Sequence, residues 1–241
     1  MVIRLVTYNV HGCRGADFRI LTDRPLDVLS KLEADCIALQ EFVDAPLPNG
    51  RGLLAHWACE LGTNAIYAPA FVRGGETFGN ALLTRFKILA RREHDISIVG
   101  YRRRILLDAT LDAGSATLQV LVMHLGVSPW ERARQTAALR ALILEPSADV
   151  QVCVGDLNEP RRTGVISRTL GHTFRSSPPL ATFPASAPLL ALDSVWVRPK
   201  ECLVNSSVDR SRAARRASDH LPLVVTIRLP ARSHPAIPQM P

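Results

Sequence analysis

Apolar runs that stop at short polar clusters constrain this chain more than any other feature. Residues 2–8 lead into Asn9, Val10 and His11, and residues 36–39 lead into Gln40 and Glu41. Residues 118–123 precede His124, and residues 150–154 precede Gly155-Asp156-Leu157-Asn158. Two further interruptions are Asp193 and the triplet Ser218-Asp219-His220. Largely apolar runs of this length, interrupted only by Arg4, Thr7, Gln119 and Gln151, read as buried strands. Carboxylates, amides and imidazoles at strand ends can converge on one sheet edge, where metal and phosphate chemistry is assembled.

Between the clusters, helix and turn signals punctuate the chain. Asp23-Arg24-Pro25 starts a helix with Leu26, Leu29 and Leu32 on its apolar face, ending before the strand at Cys36. Pro46-Leu47-Pro48-Asn49-Gly50 is loop, followed by a helix over 53–61, and Gly74-Gly75 marks another loop before a strand at 80–84. Residues 104–111 and 116–123 read as strands joined by a turn at Asp112-Ala113-Gly114. Ser128-Pro129-Trp130-Glu131 places serine at the N-cap, proline at N1 and glutamate at N3. This capping box opens a helix over 129–144 that stops at Pro146. Residues 195–197 and 221–229 complete the strands. Many strands with few interleaved helices favour a mixed α/β sandwich over a doubly wound sheet. Neither G-x-x-x-x-G-K nor G-x-G-x-x-G occurs, which disfavours the nucleotide-binding α/β folds. We read residues 1–229 as one domain and the proline-rich stretch 230–241 as a disordered tail.

A hydrophobic fraction of 47% over 241 residues is ample for a sizeable core. The net charge of +7 suits a polyanionic partner. Only Lys31, Lys87 and Lys200 are lysines, however, and an arginine-rich composition can also follow from genome base content. Five cysteines without C-x-x-C spacing predict neither a zinc site nor a disulfide framework. The first strand begins almost at Met1, and no apolar run reaches about 18 residues. The expectation is a soluble cytoplasmic protein with no stable membrane insertion.

Singly, each cluster is a weak signal; Asp156-Leu157-Asn158 also suits an Asx turn. Together they form a chemical inventory. Glu41, Asp156, Asn158 and Asn9 offer hard oxygen ligands, suited to Mg²⁺ or Mn²⁺ rather than zinc. His124 and His220 exchange protons near neutral pH, and Asp193 and Asp219 can fix a histidine tautomer or extend a metal shell.

The order of these motifs resembles the endonuclease/exonuclease/phosphatase superfamily. The resemblance is carried by residues 7–12, Leu39-Gln40-Glu41, residues 78–85, His124-Leu125-Gly126, Gly155-Asp156-Leu157-Asn158, Ala181-Thr182-Phe183-Pro184, Leu192-Asp193 and Ser218-Asp219-His220. It implies a DNase I-like four-layer α/β sandwich, with two mixed β-sheets packed face to face and helices outside. It also implies metal-dependent phosphoester cleavage. On that resemblance Glu41 is the principal Mg²⁺ ligand, with Asn9 beside it and Asp219 an outer ligand. Asp156 activates the attacking water, Asn158 helps hold phosphate, and His220 contacts a phosphate oxygen with Asp193 on its other nitrogen. His124 matches a general acid.

Departures narrow the reading. Apurinic endonucleases carry an aspartate where this chain has His11, and a tyrosine where it has His124, so an abasic-site repair enzyme is disfavoured. Ser194 stands where many relatives have an aromatic or a histidine. His11 either takes part in the site or packs beside it, and Asn80 is expected at the site's edge, binding substrate, with holding a loop as the alternative. The pattern is most similar to small bacterial members described as metal-dependent hydrolases. Two substrate classes remain, nucleic acid and a phosphoester in an anionic phospholipid or small molecule. Arg210 to Arg216 precede the last motif, so Arg212 and Arg215 are expected at the substrate, with Arg102-Arg103-Arg104 and Arg161-Arg162 extending the track. Aromatics make up 5%, none of them in residues 210–216, and no base-stacking platform is expected. A non-catalytic binding module is disfavoured by the complete residue set.

Overall fold

The computed structural model describes residues 1–144, 147–160 and 163–231. Pro146, the Arg161-Arg162 pair and nearly all of the expected tail lie outside the described residues. The first elements are β1 (Val2–Asn9), α1 (Asp23–Ser30), β2 (Cys36–Val43), α2 (Leu53–Leu61), β3 (Asn64–Arg73) and β4 (Glu76–Thr84). Next come β5 (Lys87–Asp95), β6 (Ile105–Asp112), β7 (Thr117–His124), α3 (Pro129–Leu144), β8 (Val150–Asp156), α4 (Val165–Leu170), β9 (Arg175–Ser176) and β10 (Asp193–Arg198). The chain closes with β11 (Leu203–Val208), α5 (Arg212–Ala217) and β12 (Leu223–Arg228).

Two six-stranded mixed sheets result, ordered β11-β12-β1-β2-β4-β3 and β5-β6-β7-β8-β10-β9. The alternating directions of side chains along each strand, with both faces covered, explain the largely apolar runs. Leu5, Ala38 and Leu82 point between the sheets, against Leu107, Val120, Val152 and Val195 of the other sheet. Their neighbours Val6, Ile37 and Leu83 point outward, under Leu29 of α1 and Trp57 of α2. On the far side Leu121 and Cys153 meet Leu139 of α3 and Ile166 of α4. The four layers expected from the resemblance are therefore present. All five cysteines are free, and Cys36 and Cys153 serve as small buried apolar residues.

Three local expectations are revised. Gly74-Gly75 is a tight turn joining β3 to β4, with both residues at positive φ, as a two-residue hairpin requires. Residues 210–216, expected as an arginine track beside the substrate, contain the start of α5, which buries Ala214 and Ala217. At the start of α3, the Glu131 carboxylate is buried and accepts from Gln135 Nε2 at 3.2 Å, turning along its own helix.

Candidate functional site

Strand register assembles the site. Each sheet has a central parallel pair, and the C-terminal ends of both pairs face the same cleft. Asn9 lies opposite Gln40 in β1–β2, and His124 lies opposite Asp156 in β7–β8. Antiparallel β10 sets Asp193 opposite Asp156. The turn into β12 delivers Asp219 and His220, anchored where Ser218 Oγ donates to the Asn9 carbonyl oxygen at 2.7 Å.

Two backbone devices aim these residues. The β2–β4 register shifts between Leu39 and Phe42, and within that bulge Glu41 takes φ +51°. A bulge re-aims a side chain that strict alternation would hold elsewhere, and Glu41 lines the cleft. Gly155, at φ +145°, lies so close to β7 that a Cβ would collide with the Met123 carbonyl oxygen. Glycine at this position lets His124 and Asp156, one residue further along each strand, sit side by side.

Asp156 is the hub. Its Oδ2 accepts from Asn9 Nδ2 at 3.0 Å and lies 3.5 Å from His124 Nε2 and 3.7 Å from His220 Nε2. Its Oδ1 accepts from the Asn158 backbone N–H at 3.1 Å. His220 Nδ1 sits 2.8 Å from Asp193 Oδ2, which also accepts from Thr182 Oγ1 at 2.5 Å. Phe183 packs on the His220 ring with centroids 4.9 Å apart. His124 Nδ1 lies 3.9 Å from Glu41 Oε1.

The two imidazoles differ in charge. Burial opposes a charged His220, yet Asp193 and Asp156 outweigh it and raise the ring to about 10, so His220 is an imidazolium at neutral pH. For His124, burial, then Arg104 and His220, push the ring well below the ordinary imidazole range, and it is neutral. Burial lifts the Asp156 carboxyl above the usual carboxylate range, against the pull of His220. Asp156, Asp193 and His220 bring ligand-type atoms within 4.8 Å of one another. Within that trio the His220 ring is held between two carboxylates, with Asp193 Oδ2 at Nδ1 and Asp156 Oδ2 near Nε2. Further hard oxygen donors facing the cleft lie on Glu41 and on Asp219, whose Oδ1 is 3.3 Å from Ser218 Oγ.

The structure brings Asn9, Glu41, His124, Asp156, Asn158, Asp219 and His220 to one cleft of about 1010 Å³, with Asp193 directly behind His220. Asp219 Oδ1 lies 3.5 Å from His11 Nδ1, and His11 also lines the cleft. Asn9 Oδ1 accepts from the His11 N–H at 3.0 Å, so its amide is engaged at both ends. Asn158 commits one N–H to the Leu125 carbonyl at 2.9 Å. Asn80 lies beneath the cleft, donating from β4 across the sheet interface to the Ile105 carbonyl at 2.7 Å. Ser194 accepts from Trp196 Nε1 at 3.2 Å.

Arg212 and Arg215 are not among the residues lining the cleft. Arg212 is exposed on α5, and Arg215 Nη1 donates to the Ala185 and Ser186 carbonyls at 3.1 and 3.0 Å, tying down a neighbouring loop. Cleft arginines come from elsewhere: Arg73, Arg102, Arg104, Arg132 and Arg168. Arg104 is buried beside Glu41 and His124, and its Nε has no partner among the described residues. Nothing in the 102–104 triplet itself distinguishes Arg102 and Arg104, which line the cleft, from their neighbour. Arg103 turns away to Asp95, at 3.3 Å.

This fold and site define a phosphoester-hydrolase class, and the chain belongs to the Endonuclease/Exonuclease/phosphatase family, whose model matches residues 6–220. Members of that family are hydrolases acting on phosphoester bonds. Among individual relatives, YbhP of Escherichia coli K12, described as uncharacterized, is 26% identical over 94% of this chain and 96% of its own length. An endonuclease/exonuclease/phosphatase structure from Beutenbergia cavernae superposes with TM-score 0.74 at 22% identity, covering 95% of this chain and 72% of that one. A D. rerio TDP2 structure complexed with single strand DNA product gives TM-score 0.73 at 17% identity, covering 95% and 99%. Among the described residues no helix is long and apolar enough to cross a membrane.

Proposed function

We propose that this protein is a divalent-metal-dependent phosphodiesterase that takes Mg²⁺, with Mn²⁺ as a substitute, and cleaves nucleic acid. One observation carries the reading: Glu41, His124, Asp156, Asn9 and His220 converge from two sheets on one arginine-lined cleft. Glu41 would be the principal ligand, with Asn9 and Asp219 completing the protein's share of a hard oxygen shell. A bound ion would screen phosphate charge and acidify a water.

The chain's own groups supply the remainder. Asp156, made more basic by burial, orients the attacking water and takes its proton, while Asn9 and the Asn158 N–H keep its oxygens in place. His220, charged through Asp193, donates Nε2–H to a phosphoryl oxygen as negative charge builds in the transition state. Arg104 adds a buried cation beside Glu41 and His124. His124 is neutral in the free protein, so its general-acid role requires a proton gained in the complex. An entering phosphate brings the negative charge that raises the ring and loads it.

The TDP2 structure with single-strand DNA product, of the same fold, supports placing nucleic acid first. Exposed Val127 and Leu190, which line the cleft, keep an anionic phospholipid as the second substrate class. The test is hydrolysis of bis-p-nitrophenyl phosphate, oligonucleotides and phospholipid vesicles with Mg²⁺ or Mn²⁺. Activity should vanish in EDTA and in Asp156→Ala and His220→Ala; undiminished activity in any of these overturns the mechanism.

A further inference from the structure

The segment between β5 and β6 meets the start of α3 at the mouth of the cleft. Arg102 and Arg104 from the first line the cleft, as do Val127 and Pro129 leading into the second. Between them Tyr101 stacks on Trp130, with ring centroids 5.7 Å apart and planes 25° from parallel. One helical turn further on, the Arg134 guanidinium lies 4.6 Å from the centre of the Trp130 ring. Arg102 in turn covers Phe71 at 4.6 Å, and Phe71 stacks on Phe78. The cleft mouth thus carries an ordered series of rings and guanidinium groups, built from residues scattered along the sequence.

This stack is open to solvent. Tyr101 is 43% exposed and Trp130 49%, whereas Trp57 and Trp196 are 0% and 7% exposed. Large rings left in water cost apolar surface burial that nothing else among the described residues recovers. Their orientation is nevertheless fixed by the cation and by each other. A lipid chain gains nothing from the tilt of a ring; a flat heteroaromatic partner does.

We propose that Tyr101, backed by Trp130 and Arg134, is a platform on which an unpaired nucleobase stacks while the neighbouring phosphate enters the cleft beside Arg102 and Arg104. Stacking of this kind tolerates any base, because every base has a π face, so the platform selects strand state rather than sequence. A base within a duplex has both faces covered and cannot reach Tyr101. Single strands and unpaired ends are therefore the substrate form. The proposal rests on the phosphodiesterase reading above and names the form of substrate that the same cleft takes.

The test separates bases from charge. The protein in EDTA is titrated with a short oligothymidylate and with an abasic strand of equal length and charge, following tryptophan fluorescence, to which Trp130 is the exposed contributor. The base-bearing strand should bind about 5-fold tighter or more, the lower end for one stacked base. Tyr101→Ala should erase that difference and Tyr101→Phe should keep it. Equal binding of the two strands by the unaltered protein, or a preference that survives Tyr101→Ala, overturns the platform. So does a Tyr101→Ala variant that loses binding to phosphatidylglycerol vesicles while its oligonucleotide preference is intact, since the stack then docks on lipid. Failure of the underlying reading looks different: the unaltered protein would leave bis-p-nitrophenyl phosphate intact with either metal.

Discussion

Asp156 sits between a charged imidazole and a neutral one, and its own burial is costly. Its folded pKa is raised, so its contribution to stability is complete below the unfolded value near 3.9 and is lost as pH climbs through the elevated folded value. Asp156→Asn should therefore melt higher than the unaltered metal-free protein at pH 8 and no higher at pH 4, while hydrolysis falls by about 100-fold or more. Thermal denaturation across pH reads the first part, and equal melting at pH 8 refutes it. His220 has the same sign for a different reason. The raised imidazolium stabilises the fold fully below about 6.5 and loses that contribution as pH rises through about 10. Asp193→Asn removes the chief attraction, so its deficit relative to the unaltered protein should be large at pH 7 and shrink above pH 10. Arg104 reaches His124 electrostatically. Arg104→Met should lower kcat/KM about 100-fold and raise the His124 pKa, visible in the imidazole NMR titration. A rate loss with no shift in that titration would mean that Arg104 acts on substrate alone.

At the level of elements, β7 and β8 depend on one missing methyl group. In Gly155→Ala the new Cβ meets the Met123 backbone, which has no flexible end to move. We expect a loss of about 3 kcal/mol in urea denaturation, the upper part of the range for overpacking; a loss within experimental error would show that the strands can part. The same pairing explains what was legible. Strands β1, β2, β7 and β8 announce themselves as apolar runs because both their faces are covered, and their polar ends named Asn9, Glu41, His124 and Asp156 in advance. Strand β5 is exposed along nearly its whole length and has no such run. Strand β3 contains Pro69, tolerated because β3 is a sheet edge with a shifted register there. Helix α5 was hidden by its arginines, whose charge drew attention from Ala214 and Ala217 on the buried side. The Tyr101–Trp130 stack was illegible for a different reason, since its halves lie on separate segments and composition alone argued against any platform.

Across the whole molecule the basic charge is sorted by the fold rather than by sequence clustering. Arginines from β3, the segment before β6, α3 and α4 share the cleft, whereas Arg212 stays outside it. Oligonucleotide kcat/KM should fall steeply with added salt. Arg102→Glu should flatten that dependence and Arg212→Glu should leave it unchanged; the reverse pattern would return the arginine track to α5. Strand order also sets a timetable for the growing polypeptide. The second sheet draws only on residues from Lys87 to Arg198, whereas β1 pairs along one edge with β12, Val2 opposite Arg228. Synthesis runs from the N-terminus, so Asn9 and Glu41 leave the ribosome well before Ser218, which binds Asn9 across 209 positions. Among the described residues His220 is the last of the cleft to emerge. A chain still lacking residues 218–220 therefore has no imidazolium beside Asp156, and the proposed site comes together only once that last turn has been translated.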